Sequence, residues 1–151
     1  MIPGPIEVDD AVLEASAGQA WSHVQPQIIE AYAEALALFK AATLGEAADN
    51  QPFIVSGSGT LAMEMAAANV LQPSSRALVA STGYFGDRMA DIARRTGASV
   101  DVLAVDRPGE TVDLSALEAK LVDAAAAGAA PDAVFITHVD TSTGVVVDVA
   151  A

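Results

Sequence analysis

Short apolar runs alternate with helical patterns through residues 53–136 of this chain. Four of these runs predict strands: 53–55, 77–80, 100–105 and 133–136. Helical patterns follow the first three runs, over 60–71, over 87–96 and in a segment that Asp113 caps. Strands that alternate with helices are typical of a parallel sheet flanked by helices. The pattern therefore predicts an α/β fold with a mainly parallel sheet.

Two further helices are predicted before the first strand. A short one covers about 9–15, with one of the aspartates at its start as the N-cap. A longer amphipathic helix covers about 27–40, where apolar residues recur at helical spacing, and Pro26 suits its first turn. We therefore separate an N-terminal segment, 1–50, from an α/β region, 51–151.

Three polar loops are expected at one edge of the sheet, because parallel strands bring their carboxyl ends together there. These loops are 56–60, 81–86 and 137–144. The first contains Gly57 and Gly59 and leads into a helix, whose unpaired N–H groups lie at the positive end of the helix dipole. Such a turn binds anions, phosphate above all. A plain strand-to-helix turn that needs glycine for its backbone angles has the same composition.

Composition narrows the classes of partner. The 151 residues, 52% of them hydrophobic, suffice for one domain with a buried core. The formal charge of −13, from 20 acidic and 7 basic residues, predicts neither nucleic acid nor an anionic membrane as a partner. No run of about 18 apolar residues is present, so no membrane-spanning helix is expected. A phosphate would then be bound by backbone dipoles or by a cation from another chain.

No metal site is predicted. The chain has no cysteine, which excludes thiolate ligands and disulfides. Its two histidines, His23 and His138, are far apart in the sequence and do not share a helical spacing. His138 ends an apolar run, so we expect it to be a structural residue at the end of a buried strand.

Four motifs, taken together, resemble the class V aminotransferases of pyridoxal-phosphate fold type I. They are Pro-Gly-Pro at 3–5, Ser-Gly-Ser-Gly-Thr at 56–60, Thr-Gly-Tyr-Phe-Gly-Asp-Arg at 82–88 and Thr-His-Val-Asp-Thr-Ser-Thr-Gly at 137–144. The set covers essentially the whole chain and is specific in its order and spacing, whereas no single motif suffices. Within the family it is most similar to the alanine–glyoxylate and serine–pyruvate aminotransferases, especially the fungal ones.

The resemblance implies roles for residues in each motif. Five would bind pyridoxal 5′-phosphate: Ser58, Gly59 and Thr60 at the phosphate, Phe85 stacked on the pyridine ring and Thr141 at the polar edge of the ring. Gly4 and Pro5 would lie near the substrate carboxylate. The region 51–151 would then be the first part of a cofactor-binding large domain.

Some of these residues have simpler interpretations. Phe85 could be an ordinary core residue, but its place on a loop between Gly83 and Gly86 favours stacking. Asp140 could be a general base or a turn-forming residue, and its loop favours the turn. The turn at 56–60 is not a P-loop, because no Gly-Lys-Ser/Thr follows.

The resemblance also implies an activity: transfer of an amino group from alanine or serine to a 2-oxo acid such as glyoxylate, by a homodimer with active sites completed across the interface. In the family, the Schiff-base lysine, the acid at the ring nitrogen and the substrate-carboxylate arginine come later in the sequence. The lysines of this chain, Lys40 and Lys120, match no such position. We therefore expect a piece of a longer protein, with its catalytic lysine beyond Ala151 and no catalytic residue here.

Two alternatives from other functional classes stay open at this point. The chain could be a small α/β domain that binds a phosphate or nucleotide without transaminase activity, or a non-catalytic interaction domain that kept the fold. An intracellular location is expected. The resemblance leaves the compartment open among peroxisome, mitochondrion and cytoplasm.

Overall fold

The computed structural model describes residues 6–43 and 50–150 of the chain. The described residues form two compact units, which are described in turn: a smaller one within Glu7–Ser56 and a larger one that includes residues 57–150. In the described ranges no helix is both long and apolar enough to cross a membrane. The same ranges contain no group of three His, Cys, Asp or Glu side chains that could hold a metal ion.

The smaller unit consists of two helices and the segment that follows them. Helix α1 spans Asp10–Ser16 and helix α2 spans Pro26–Thr43, so both predicted helices are confirmed. Asp9 caps α1, because its side chain accepts a hydrogen bond of 2.9 Å from the backbone N–H of Ala11. Pro26 occupies the first turn of α2, where its missing N–H costs nothing.

The strand predicted at 53–55 is wrong. Residues 50–58 form no regular secondary structure, and Phe53 is 75% exposed. A strand needs a neighbouring strand to pair its backbone groups, and none of the described strands pairs with this segment. One side-chain contact is present instead, from the Tyr32 hydroxyl to the carbonyl oxygen of Ile54 at 3.1 Å. Apolar composition alone does not supply a partner strand.

Three parallel strands form the sheet of the larger unit. They are β1 (Arg76–Ser81), β2 (Ser99–Ala104) and β3 (Ala133–Ile136), arranged in the order β2-β1-β3. In the register, Val79 is aligned with Val102 on one side and with Phe135 on the other. The helices are α3 (Gly59–Val70), α4 (Tyr84–Arg95) and α5 (Leu114–Ala126). The predicted α/β fold with a parallel sheet is confirmed.

The core surrounds β1, whose residues after Arg76 are all buried. On one side, α3 and α4 contribute a cluster of buried apolar side chains: Ala67, Leu71, Met89, Ala90, Ile92 and Ala93. A second, smaller cluster joins Ala80 to Val112, Val145 and Val147. Val145 begins β5 (Val145–Val146), which pairs antiparallel with β4 (Val139–Asp140). The hairpin after β3 is therefore connected to the central strand.

Helix α4 lies directly against β1 because Gly86 has no side chain. A Cβ on Gly86 would lie 2.5 Å from Ser81 Oγ and 2.6 Å from Ser81 Cα. The Ser81 hydroxyl donates to Asp87 Oδ1 at 2.8 Å. The end of the central strand is thus fixed against the first turn of the helix.

Replacing Gly86 with alanine should destabilise the fold, because the added Cβ must displace the backbone of β1. We expect Gly86→Ala to lower the free energy of unfolding by about 1–3 kcal/mol, measured by urea denaturation. Gly59→Ala is the matched control, since a Cβ there meets nothing within 4 Å. Its change should stay within about 0.5 kcal/mol. Equal stability of Gly86→Ala and the wild type would contradict this packing.

Candidate functional site

The strand order creates a crevice at the carboxyl edge of the sheet. From β1 the chain crosses to β2 on one side, and from β2 it crosses back to β3 on the other side. The loops that follow β1 and β3 therefore leave the edge in opposite directions. In open α/β sheets, ligands bind at such a switch point. Two of the three loops predicted at this edge, the ones after 81 and after 136, meet here.

Side chains of the loop after β3 cap the start of α4. The N-cap residue Gly83 makes no side-chain hydrogen bond of its own. The backbone N–H of Tyr84 donates to Ser142 Oγ at 3.0 Å, and that of Phe85 donates to Asp140 Oδ2 at 3.1 Å. This cross-loop cap explains why the helix begins at Tyr84. The predicted loop over 81–86 with a helix over 87–96 is therefore wrong at this boundary, because the helix begins three residues earlier, at Tyr84.

The carboxylate of Asp140 is completely buried. Besides the N–H of Phe85, it accepts hydrogen bonds at Oδ1 from the backbone N–H of Ser142 at 3.0 Å and from the Ser142 hydroxyl at 2.6 Å. Its own carbonyl oxygen accepts from the N–H of Gly144 at 2.8 Å. The contact to the N–H two residues later is that of an Asx turn. The turn-forming interpretation of Asp140 is confirmed.

The two loops approach each other closely at Gly83. A Cβ on Gly83 would lie 2.7 Å from Ser142 Oγ, 2.8 Å from Thr143 Cγ2 and 3.0 Å from Asp140 Cγ. Any other residue would push the hairpin away from the helix. Glycine is needed here for this close approach, since its φ of 164° is ordinary extended backbone.

Phe85 and Thr141 lie beside this cap. Phe85 is in the first turn of α4, not on a loop, and its side chain is half-buried. Its ring packs edge-on against Tyr84, with centroids 5.3 Å apart and planes at 87°. Thr141 is half-buried and lies between two residues of the Asx turn. Neither residue belongs to the two core clusters of the described residues, so both stay candidates for ligand contact.

The start of α3 offers unpaired donors. The Ser58 side chain caps the helix, accepting from the N–H of Leu61 at 3.3 Å. The N–H groups of Gly59 and Thr60 precede the first intrahelical hydrogen bond and so have no acceptor within the helix. The absence of any atom within 4 Å of a Cβ on Gly59 shows open space there. The turn could therefore accommodate an anion.

A cavity of about 180 Å³ connects the start of α3 with α4. It is lined by Thr60 and by polar residues of α4: Tyr84, Asp87, Arg88, Asp91 and Arg95. Arg88 Nη1 donates to the Tyr84 hydroxyl at 2.8 Å, and the Arg88 guanidinium carbon lies 5.9 Å from the centre of the Tyr84 ring. Thr60 therefore lies beside the turn that carries Phe85. Of the predicted cofactor-binding residues, Thr60 lines this cavity, and Phe85 directly follows the lining residue Tyr84 without lining the cavity itself.

Two buried hydroxyls at the same edge, those of Thr82 and Thr143, have no role predicted from the sequence. Thr82, 1% exposed, and Thr143 each have a buried Oγ1 with no hydrogen-bond partner in the described part of the structure. Both residues line a second cavity of about 180 Å³ at the end of β1. Buried hydroxyls normally have partners, so this cavity suits a polar group. The only sequence signal was the change from apolar to hydroxyl residues after Ala80.

Other predicted residues lie elsewhere. Gly4 and Pro5 lie outside the described residues. His138 is exposed, so the expectation of a residue at the end of a buried strand is wrong. The reason is that alternate residues of β3, such as Val134 and Ile136, are themselves 40% and 39% exposed.

Comparisons with known proteins agree with the motifs. The sequence model of the family described as Aminotransferase class-V matches residues 11–151. Alanine–glyoxylate aminotransferase 1 of Saccharomyces cerevisiae is 39% identical over 158 residues, covering 100% of this chain and 39% of that protein. Alanine–glyoxylate aminotransferase of Rattus norvegicus is 34% identical over 143 residues, 95% of this chain and 33% of that protein. The crystal structure of alanine–glyoxylate aminotransferase from Nostoc sp. has a TM-score of 0.80 and 31% identity, over 97% of this chain.

This chain spans about two fifths or less of the length of these relatives: 39% and 33% of the curated proteins and 37% of the Nostoc chain. The described fold therefore corresponds to part of the α/β fold of such proteins, and the expected fold type I is confirmed. The family match extends over nearly all of the chain. The chain belongs to the class V aminotransferase family.

Proposed function

We propose that the protein that contains this chain is a pyridoxal-phosphate-dependent aminotransferase. It transfers an amino group from alanine or serine to a 2-oxo acid such as glyoxylate. Membership of the class V family supports the reaction class. The alanine–glyoxylate aminotransferases among its relatives support the choice of substrates. The whole protein acts as a homodimer, and small-molecule amino acids and 2-oxo acids are its other partners.

The observation that carries this proposal is the shared cavity beside Thr60 and Tyr84. Open N–H groups at the start of α3 suit a phosphate. The half-buried ring of Phe85, next to the cavity-lining Tyr84 but not itself part of the cavity lining, suits a planar heterocycle. A ligand with a phosphate and a flat ring joined by a short linker meets both requirements. Pyridoxal phosphate is such a ligand.

The backbone N–H groups at the start of α3 suit the doubly charged phosphate better than those at the start of α4. The N–H groups at the start of α4 already donate to Ser142 and to the carboxylate of Asp140. A second anion there would be repelled by that carboxylate. The start of α3 has only the neutral Ser58 hydroxyl as its cap. We therefore assign the phosphate to Ser58, Gly59 and Thr60.

Each assigned residue has a physical task in the reaction. Bound pyridoxal phosphate supplies an electron-withdrawing ring that stabilises the negative charge left when a substrate loses its Cα proton. Phe85 covers one face of that ring and excludes water from it. The Thr141 hydroxyl hydrogen-bonds the polar edge of the ring. We assign Gly4 and Pro5 to the substrate side of the site.

The lysine that binds the cofactor covalently is proposed to lie in the sequence after Ala151. Lys40 is on α2 and Lys120 is in the middle of α5. Among the described residues, the cavity beside Thr60 is lined by no lysine. This chain then contributes the phosphate and stacking contacts, and later sequence contributes the nucleophile.

Thr60→Val tests the phosphate assignment. In the full-length protein we expect this variant to weaken pyridoxal phosphate binding at least about tenfold, because a hydrogen bond to a charged group contributes about 1.5–3 kcal/mol. Its affinity for pyridoxal, which has no phosphate, should change less than about twofold. An absorbance titration measures both. Thr111→Val is the control, since Thr111 is exposed and lies outside this cavity.

An equal loss for both ligands would contradict the assignment of Thr60 to the phosphate. Saturable binding of a nucleotide such as ADP, with none of pyridoxal phosphate, would favour a phosphate-binding domain without transaminase activity.

Phe85→Leu tests the stacking assignment. We expect affinity to fall about threefold to tenfold for pyridoxal phosphate and for pyridoxal alike, since aromatic stacking adds about 0.5–1.5 kcal/mol beyond buried area. Phe85→Trp keeps a flat ring and should bind within about threefold of the wild type. The same titrations measure these affinities. If leucine and tryptophan bind alike, the ring of Phe85 does not stack on the cofactor.

Residues 1–151 alone should have no transaminase turnover, because the proposed nucleophile is absent from them. After incubation with pyridoxal phosphate and reduction with borohydride, mass spectrometry should find no specific adduct on Lys40 or Lys120. The full-length protein, treated in parallel, should carry one adduct on a later lysine. A stoichiometric adduct on either of the two lysines, or turnover by residues 1–151, would contradict this assignment.

A further inference from the structure

One buried carboxylate connects the two segments that carry the proposed ring contacts. Asp140 is the only buried acidic residue in the described part of the chain. Its Oδ2 accepts from the N–H of Phe85 at 3.1 Å. Its Oδ1 accepts from the N–H and the hydroxyl of Ser142, at 3.0 and 2.6 Å. Thr141 lies between Asp140 and Ser142, so the carboxylate of one of its neighbours accepts from the other neighbour and from the backbone of Phe85.

Burial of a carboxylate without a cation needs compensation. Asp140 takes part in none of the described ion pairs. Three hydrogen-bond donors and the positive end of the α4 dipole stabilise its charge instead. These contacts occupy both carboxylate oxygens, and the side chain is 0% exposed. It is therefore unavailable as a proton acceptor for a substrate.

We propose that Asp140 is a positioning residue for the cofactor: it fixes the backbone of Phe85 and of Thr141 relative to each other, so that a ring can contact both side chains at once. This inference rests on the function proposed above. Ser142 completes the connection, because its hydroxyl donates to Asp140 while accepting from the N–H of Tyr84 at 3.0 Å. Gly83 permits it, since any Cβ there would separate the loops.

A positioning role differs measurably from a purely structural one. Loss of the carboxylate allows the start of α4 and the hairpin to move independently. The Phe85 ring and the Thr141 hydroxyl then no longer have a fixed position relative to each other. The bound cofactor then loses its fixed asymmetric surroundings. Its induced circular dichroism at saturation reports this directly, whereas a merely structural role lowers the melting temperature without changing that signal.

The test compares Asp140→Ala with Asp132→Ala in the full-length protein. Asp132 is the matched control, because its carboxylate also accepts a backbone N–H, that of Arg76 at 2.8 Å, but at the opposite end of β1. We expect Asp140→Ala to weaken pyridoxal phosphate binding about tenfold, as expected for losing charge-assisted hydrogen bonds, and to lose at least about half of the induced signal. Asp132→Ala should lower the melting temperature only.

Ser142→Ala covers the case in which Asp140→Ala does not fold. It removes one hydroxyl from the same connection and keeps the carboxylate, so a smaller loss of induced signal in the same direction is expected. Amide hydrogen exchange at Tyr84 and Phe85, measured without cofactor, should accelerate at least about tenfold in either variant.

The outcomes separate this inference from the proposed function. If the wild type binds pyridoxal phosphate with an induced signal, and the Asp140 and Ser142 variants keep both the signal and the affinity, the positioning role is overturned and the proposed function stands. If the wild type shows no saturable binding, the proposed function fails and this inference fails with it. If Asp132→Ala loses pyridoxal phosphate affinity and induced circular dichroism as much as Asp140→Ala does, the positioning role is also overturned. Such losses would show that lower stability alone produces the effect.

Discussion

Contact between the hairpin after β3 and the start of α4 holds the carboxyl edge of this sheet in one arrangement. The N–H groups of Tyr84 and Phe85 would otherwise be unpaired at a helix start that has no side-chain cap of its own. Ser142 and Asp140 satisfy them from another loop. Because Asp140 is fully buried, its carboxylate is shielded from water and ions. The contact therefore fixes the first turn of α4 relative to the loop that carries Thr141.

The same contact explains how an acidic chain can accommodate an anion. The net charge is −13, so an anion gains nothing from the protein as a whole. The starts of α3 and α4 both lie near this edge, and they differ in whether an anionic group already pairs with their N–H groups. The start of α4 is neutralised by a carboxylate of the chain itself, while the start of α3 retains open N–H groups. Local dipoles, rather than overall charge, decide where a phosphate can bind.

Sequence reasoning predicted the features that depend on neighbours in the chain and missed those that depend on distant ones. The parallel sheet and its flanking helices follow from local periodicity. The strand expected at 53–55 failed because pairing requires a partner that composition does not reveal. The start of α4 was misplaced because its cap comes from residues 55 and 58 positions away. The neighbourhood of Thr60 and Tyr84 likewise depends on helix packing, which no motif encodes.

Separation along the chain also determines when this crevice can exist. The hydrogen bonds from Phe85 to Asp140 and from Tyr84 to Ser142 close loops of 55 and 58 residues, and such closures carry an entropic cost that must be met by contacts formed together. During synthesis, helix α3, which begins after Ser58, can therefore form well before the backbone of Phe85 is fixed by Asp140. Maturation of the ligand-binding surface has to wait until the ribosome has released the chain past Ser142.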